Sequence, residues 1–241
     1  MKAIDHTAHC GSPGGAFKPG GGRNAAGTAL LAVYAFAVLI LCGPASWAQE
    51  SRIVARDPQG SFYSVSGRYN NRNEYLHISR LGRDGSMYWE GDYDTGADEK
   101  PVAMVANSLG LVILASRRDG NERSFSLVYY SFDNFFVREV VGNSPGAVPV
   151  AAAVDKQGNI YIALTTKKAN RVMAELWKYD SGGAFYWSAV YDPINNAYAQ
   201  DVQVLYSGEI SFGVTEAGGP NAFGEYQPLA LVYNSSGARL R

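Results

Sequence analysis

The sequence has 241 residues, with 46% hydrophobic residues, 27 glycines, 16 tyrosines and a formal net charge of −1. This is enough chain and apolar surface for one or two ordinary domains, and the abundance of tyrosine and glycine favours strands and tight turns over helices. The near-neutral charge and the scattered Lys and Arg exclude the basic footprint that is typical of nucleic-acid-binding proteins.

Residues 1–48 have the order of a secretory signal peptide. A basic, glycine-rich start precedes an uncharged apolar run from Ala25 to Leu41, and small residues at Ser46 and Ala48 suit a cleavage after Ala48. Two alternatives stay open. One is an uncleaved signal anchor, because the run approaches the length that spans a bilayer. The other is lipidation at Cys42, although Leu41 is bulkier than the residue expected there. We predict a secreted, periplasmic or cell-surface protein.

The two cysteines, Cys10 and Cys42, both lie in residues 1–48, so the mature part predicted from residue 49 contains none. An exported domain without disulfides must be stabilised by its own hydrophobic core, and residues 49–241 are long enough to form one. Aromatic residues in strand phase are expected in that core.

Four repeats follow, at about 52–101, 102–149, 150–199 and 200–241. Each contains two hairpins with tight turns, and the turns end at Gly60, Gly85, Gly110, Asn134, Gly158, Gly183, Gly208 and Gly237. Asp, Asn or Ser opens such turns, and Gly or Asn closes them where φ is positive. A period of about 49 residues with four strands predicts an all-β fold, a β-propeller of about four four-stranded blades. A β-sandwich with incidental regularity is the alternative.

The third repeat carries a family resemblance. Residues 154–162 (Val-Asp-Lys-Gln-Gly-Asn-Ile-Tyr-Ile) and 178–188 (Lys-Tyr-Asp-Ser-Gly-Gly-Ala-Phe-Tyr-Trp-Ser) resemble the two alternating hairpins of the SBBP-type β-propeller repeats of secreted bacterial proteins. The first repeat is a fair match, and the second and fourth diverge. The resemblance implies a propeller blade and no particular chemistry, because the repeat is defined by turn and core positions.

The fourth repeat stops at Arg241, and its outer strand has three or four residues where the others have about eight. Either the last blade is incomplete, or the chain is a fragment or subunit of a larger propeller assembly. An unpaired blade edge favours pairing with another chain. Self-association through the last blade is therefore one expected kind of partnership.

Alternate loops of a propeller lie on opposite faces, so the tight turns are expected on one face and the longer loops on the other. Long loops on a rigid scaffold often carry binding residues, and this loop-rich face is the predicted ligand surface. Paired cations in equivalent loops suit an anionic ligand such as an acidic polysaccharide, whereas a solvated hairpin tip is the simpler reading. The candidate residues are Arg117, Arg118, Lys167, Lys168, Asn195 and Glu216.

No cofactor is predicted, and calcium is a weak alternative. Asp92, Asp94 and Asp98 group carboxylates around a glycine, but the third aspartate and the terminal glutamate of an EF-hand loop are missing. A solvated acidic loop is the simpler reading. His77 is the only histidine after residue 48, so we interpret it as structural; zinc and haem sites and a Gly-x-Ser-x-Gly nucleophile are not indicated.

The sequence therefore favours a non-enzymatic extracytoplasmic binding or scaffolding module, which binds a protein or a glycan through its loop-rich face. No nucleic-acid partner is expected, and membrane attachment would need the uncleaved anchor or lipidation. Two alternatives remain: a structural subunit or fragment of a larger propeller assembly, and a carbohydrate-active propeller enzyme with acid and base residues near the central channel.

Overall fold

The computed structural model describes residues 53–57, 59–133, 135–142, 144–217 and 226–241. The predicted signal segment 1–48 and the turn residue Asn134 lie outside these ranges. The described ranges contain fifteen β-strands and no helix, which confirms the all-β prediction. In the same ranges there is no helix with the length and apolar character needed to cross a membrane.

The described ranges contain four antiparallel sheets, each built from consecutive strands. The first has β1 (Ile53–Arg56), β2 (Phe62–Tyr69), β3 (Glu74–Leu81) and β4 (Met87–Tyr93). The second has β5 (Asp98–Ala106), β6 (Leu111–Asp119), β7 (Glu122–Tyr130) and β8 (Phe136–Val141). The third has β9 (Val148–Val154), β10 (Ile160–Lys168), β11 (Arg171–Tyr179) and β12 (Phe185–Tyr191). The fourth has β13 (Ala197–Val204), β14 (Ile210–Ala217) and β15 (Tyr226–Tyr233).

The tight turns form by the expected chemistry. Between β9 and β10, Oδ1 of Asp155 accepts hydrogen bonds from the backbone N–H groups of Gln157 and Asn159, both at 2.9 Å. Gly158 then closes the turn at φ 85°, a conformation that costs other L-residues energy. The seven turn glycines predicted from the sequence all have positive φ. Their spacing therefore fixes where the hairpins of each sheet turn.

Consecutive sheets pack face to face, because alternate residues of the central strands point to opposite sides. In the second sheet, Leu111 and Ile113 belong to a hydrophobic cluster shared with the first sheet, and Val112 and Leu114 belong to one shared with the third. A third cluster joins the third and fourth sheets. Among the described residues, none of these clusters joins the fourth sheet to the first. The sheets therefore form a consecutive array of four blade-like units.

The fourth sheet has a short outer edge, as its sequence indicates. Its three strands are followed by a bridge between Tyr233 and Arg239. The backbone N–H of Leu240 donates to Val232 O at 2.7 Å, and that of Val232 donates to Arg241 O at 2.9 Å. β15 pairs with β14 on one side. On its other side, the described residues that bond to it are the last ones of the chain.

The first pair of sheets and the second pair share one interface design. Nε1 of Trp89 in the first sheet donates to the backbone oxygen of Phe132 in the second, at 3.4 Å. Trp187, which lies 98 residues later in the sequence, donates in the same way to the backbone oxygen of Ser235 at 3.2 Å. The two contacts identify equivalent positions in the two pairs.

The outer strands show where the expectation about aromatic residues is wrong. Trp89 and Trp187 are half-buried against the next sheet, but Tyr88 and Tyr186 beside them are 63% and 62% exposed. Strand residues alternate between two faces, and on an outer strand one of these faces is not covered by the neighbouring sheet. Strand phase therefore places only alternate aromatic residues in the core.

Candidate functional site

A charged cleft lies at the end of the second sheet where β6 and β7 meet. The long loops expected at 117–123 and 167–171 are instead two-residue turns, at 120–121 and 169–170, because the strands extend almost to the hairpin tips. The cleft has a volume of about 410 Å³, within the size range of small-ligand sites. We call it the arginine cleft, and its lining residues are Tyr69, Glu74, Asp98, Lys100, Ser116, Arg117, Arg118, Arg123, Ser124, Ala147, Val148 and Pro149. Four of these twelve residues are cationic and two are acidic. Arg117 is ion-paired with Asp119 at 3.4 Å, which leaves Lys100, Arg118 and Arg123 as the other cations.

The β6–β7 hairpin supplies the three arginines. Its register places Arg118 directly opposite Arg123, an arrangement of like charges that destabilises a sheet. Nε of Arg118 donates to the backbone oxygen of Gly120 at 3.1 Å. Within the part of the chain that the structure describes, neither arginine forms an ion pair of its own. On its other side Arg118 lies opposite Asp98 of β5, but the described residues form no ion pair within 4 Å with either arginine.

The corresponding hairpin of the third sheet also has two opposed cations, but both are neutralised. Lys168 lies opposite Arg171. Nζ of Lys168 is 3.1 Å from Oε1 of Glu175, and Nη2 of Arg171 is 2.5 Å from Oδ1 of Asp192. The contrast singles out the β6–β7 hairpin as the place where a bound anion would relieve charge repulsion.

Two carboxylates also line the cleft, Glu74 on β3 and Asp98 on β5. The backbone N–H of Glu74 donates to Oδ1 of Asp98 at 3.0 Å. The side chain of Glu74 lies over Gly67, where a Cβ atom would collide with Oε1 of Glu74. Burial raises the pKa of Glu74 and the neighbouring Asp98 adds to the effect, while Lys100 opposes it.

A buried polar cluster adjoins the cleft between the first and second sheets. It consists of Tyr93, Glu99, Arg117 and Glu139. Nε of Arg117 is 3.9 Å from Oε1 of Glu99 and 4.0 Å from Oε1 of Glu139. Each of the four side chains has a buried polar atom without a hydrogen-bond partner among the described residues. Such atoms are uncommon in folded proteins.

Burial raises the pKa values of two groups in this cluster, Glu99 and Tyr93. Glu99 is fully buried, and burial raises the pKa of its carboxyl group, with a contribution from Glu139. Hydrogen bonding by Thr95 and the charge of Arg117 oppose the shift without cancelling it. Burial also raises the pKa of Tyr93 well above its ordinary value. The cluster therefore holds two groups with raised pKa next to a cleft, a combination that occurs at functional sites and also in structural networks.

The equivalent position in the third and fourth sheets is satisfied instead. Tyr191 lies 98 residues after Tyr93, and its hydroxyl donates to Oε2 of Glu216 at 2.9 Å. Nδ2 of Asn195 donates to Oε1 of Glu216 at 3.4 Å. The two pairs of sheets share their interface design and differ at this end, where the first pair has the arginine cleft.

A second cavity of about 600 Å³ adjoins the arginine cleft. We call it the tyrosine groove, and it is lined by Val148, Thr165, Tyr198, Ala199, Gln200, Thr215 and Tyr226. The rings of Tyr198 and Tyr226 meet edge to face, with centroids 6.1 Å apart. Val148 lines both cavities.

The six candidate residues from the sequence do not meet at one site. Arg117 and Arg118 line the arginine cleft. Lys167 and Lys168 end β10 at the next hairpin tip, where Lys168 pairs with Glu175. Asn195 and Glu216 contact each other near the end of the third and fourth sheets. The structure thus separates them into three places.

The three aspartates of the weak calcium hypothesis are bound to protein groups. Asp94 accepts hydrogen bonds from Asn70, Asn73 and the backbone of Gly96, at 2.7, 2.7 and 2.9 Å. Oδ1 of Asp92 is 2.7 Å from Nδ1 of the buried His77, which agrees with a structural role for that histidine. Asp98 accepts from the Glu74 backbone. Across the described ranges, no three or more His, Cys, Asp or Glu residues are grouped so as to hold a metal ion.

The sequence analysis did not identify Lys100, Glu74 or Tyr198 as candidate site residues. Lys100 lies near the start of β5 opposite Ser116 of β6, so its place in the cleft depends on strand register rather than on sequence spacing. One signal was available: Arg118 and Arg123 flank a short turn containing Gly120, so a hairpin there necessarily brings them together.

No family model matches the chain, and no curated protein matches it. Among solved structures, the chain is similar to a protein of unknown function from Bacteroides caccae, with 14% sequence identity and a TM-score of 0.41. The match covers 74% of this chain and 71% of the other.

Proposed function

We propose that this protein is a non-enzymatic, extracytoplasmic binding module, and that the arginine cleft binds an anionic group of a protein or glycan ligand. The observation that carries the proposal is the pair Arg118 and Arg123, which lie opposite each other without an ion-pair partner in the described structure. Guanidinium groups bind carboxylates and sulfates through charge-assisted, often bidentate hydrogen bonds. An anion between them would replace repulsion by attraction.

The proposal includes the propeller arrangement. We propose that the four sheets are blades around a common axis, with β1, β5, β9 and β13 innermost. Face-to-face packing of consecutive sheets supports this arrangement. We also propose that the sheets are SBBP-type repeats and that residues 1–48 act as a signal peptide for export.

The test uses the full chain and two labelled polyanions, polygalacturonate and polyglutamate, in a fluorescence polarisation titration. Arg118→Ala and Arg123→Ala are each expected to weaken binding about tenfold, because each removes one charge-assisted hydrogen bond to the ligand. Binding should also weaken as salt rises. Arg83→Ala is the matched control, because Arg83 is exposed in the tight turn between β3 and β4. Equal binding by all four proteins, or no binding of either polyanion, would refute the proposal.

A second candidate function is self-association through the fourth sheet. The residues of β15 from Tyr226 to Ala230 are exposed, and an uncovered edge strand is able to pair with another chain. Pro228 in this strand lacks one backbone donor, which disfavours such pairing. Light scattering tests this candidate: a monomer at all concentrations would exclude it, and a dimer that Leu229→Lys dissociates would support it.

A further inference from the structure

We infer that the ligand of the arginine cleft is an acidic oligosaccharide, which extends from the arginines across Val148 into the tyrosine groove. This inference rests on the proposed function and adds the ligand's chemical class and its path. The alternatives of a neutral sugar, a small free anion and an acidic peptide are outcomes of the test below.

The first support is the continuity of the two cavities. Lys100 on β5, Val148 on β9 and Tyr198 on β13 lie near the starts of the first strands of three consecutive sheets. Lys100 lines the arginine cleft, Tyr198 lines the tyrosine groove, and Val148 lines both. Val148 is 47% exposed, so its side chain is accessible to a ligand that passes from one cavity to the other. A ligand longer than one sugar that is held by the arginines therefore has a continuous path towards the tyrosines.

The second support is the chemistry of the tyrosine groove. A pyranose ring has an apolar face of C–H groups and a rim of hydroxyls, and aromatic side chains pack against such apolar faces while polar groups bond the rim. The groove has two tyrosine rings, the hydroxyls of Thr165 and Thr215 and the amide of Gln200. Oγ1 of Thr165 accepts from the backbone N–H of Ala199 at 3.0 Å, so its own proton is available to a ligand oxygen.

The third support is the contrast with what a peptide would need. Apolar side chains of a peptide bind best in pockets of large aliphatic and aromatic residues. The only aliphatic side chains among the groove residues are those of Val148 and Ala199. The exposed surface of the groove is mainly apolar, and the two tyrosine rings are its largest groups, so it suits stacking against the C–H face of a sugar ring. Charge at one end and stacking surface at the other together favour an acidic oligosaccharide.

The experiment measures binding of galacturonate oligomers of one to six residues to the full chain by isothermal titration calorimetry. Affinity is expected to rise with length, because longer oligomers reach the tyrosines. Tyr198→Ala should weaken hexamer binding about fivefold, in line with the loss of one aromatic contact, and leave binding of the single sugar unchanged. Tyr198→Phe should retain most of the hexamer affinity, and it also controls for folding, which is checked by circular dichroism.

Two further comparisons complete the design. Tyr206→Ala is the matched control, because Tyr206 is 97% exposed in the tight turn between β13 and β14, and it should bind like the unaltered protein. A neutral galactose hexamer and a glutamate hexamer separate the roles of sugar and charge. Both are expected to bind more weakly than the galacturonate hexamer.

The outcomes distinguish the two proposals. If Arg123→Ala weakens binding while Tyr198→Ala does not, the extension into the tyrosine groove is wrong and the proposed function stands. If Arg123→Ala changes nothing, the proposed function itself fails. A glutamate hexamer with equal affinity and the same dependence on Tyr198 would make the ligand an acidic peptide, and a neutral hexamer with equal affinity would remove the role of charge. Each of these two results overturns the inference.

Discussion

The ammonium group of Lys178 lies 5.3 Å from the ring centroid of Tyr161. Arg80 and Tyr63, their counterparts 98 residues earlier, form the same contact at 5.5 Å. Each cation also donates a hydrogen bond to a backbone oxygen of the following sheet, Lys178 to Ser235 at 2.9 Å and Arg80 to Phe132 at 3.2 Å. The same interface thus recurs between the first and second sheets and between the third and fourth.

The two equivalent tryptophans should contribute similarly to stability. Trp89→Phe and Trp187→Phe each remove one indole hydrogen bond to the following sheet and some packing. Each is expected to lower the free energy of unfolding by about 1–2 kcal/mol. Urea denaturation measures the change, and Tyr206→Phe is an exposed aromatic control with a change near zero. A large loss in only one of the two variants would contradict the equivalence.

The turn glycines should differ in their tolerance to substitution. A Cβ atom at Gly110 would collide with the backbone oxygen of Tyr130, whereas one at Gly208 meets nothing within 4 Å. Gly208→Ala therefore suffers only the strain of a positive φ, about 1 kcal/mol, and Gly110→Ala should lose about 3 kcal/mol or more. Thermal unfolding ranks the two variants. Equal melting temperatures would show that the close approach at Gly110 is absent.

Glu99 should make the protein less stable as pH rises. Its raised pKa means that the folded protein retains a proton which the unfolded chain releases near the ordinary value of 4.5. The free energy of unfolding therefore falls as pH increases from 4.5 through the folded pKa. Glu99→Gln should remove this fall, as measured by melting temperatures between pH 4 and 8. Glu122→Gln, at an exposed position, is the control, and an unchanged pH profile in Glu99→Gln would count against the raised pKa.

Glu175 should show the opposite pH dependence. Burial opposes its ionisation, but hydrogen bonds from Thr166, Trp177 and Lys168 together lower its pKa below the ordinary value. A lowered pKa means that the stabilisation is present above about pH 4.5 and is lost as pH falls through the folded pKa. Glu175→Gln is expected to reduce stability at pH 7 and to flatten the acid side of the profile. A variant as stable as the unaltered protein at pH 7 would argue against this network.

The turns and strands could be predicted from the sequence because their signals are local. Asp155 and Gly158 determine one hairpin by bonds within five residues, and the same residue types recur at the equivalent turns. The equivalence of Trp89 and Trp187 was also visible from spacing alone. The interface that these tryptophans form was not, because Phe132 and Ser235 contribute backbone oxygens, which no side-chain pattern reveals.

The arginine cleft could be predicted only in part. Arg117 and Arg118 were recognisable as neighbouring cations, but Lys100 reaches the cleft through the register of β5 with β6. The missing ion-pair partners of Arg118 and Arg123 depend on which acids the other sheets bring near. Lys168 has the same local pattern and is neutralised by Glu175. Tertiary packing, not local sequence, therefore separates the candidate site from its equivalent.

Hydrogen–deuterium exchange of the full chain, with and without galacturonate hexamer, tests the location of the ligand site most directly. The account predicts slower exchange in residues 98–100, 117–123 and 147–149 when the hexamer is present. The tight turns at Gly85, Gly158 and Gly208 should exchange at unchanged rates. Protection confined to the tight turns, or no protection anywhere at saturating hexamer, would contradict the assignment of the arginine cleft as the binding site.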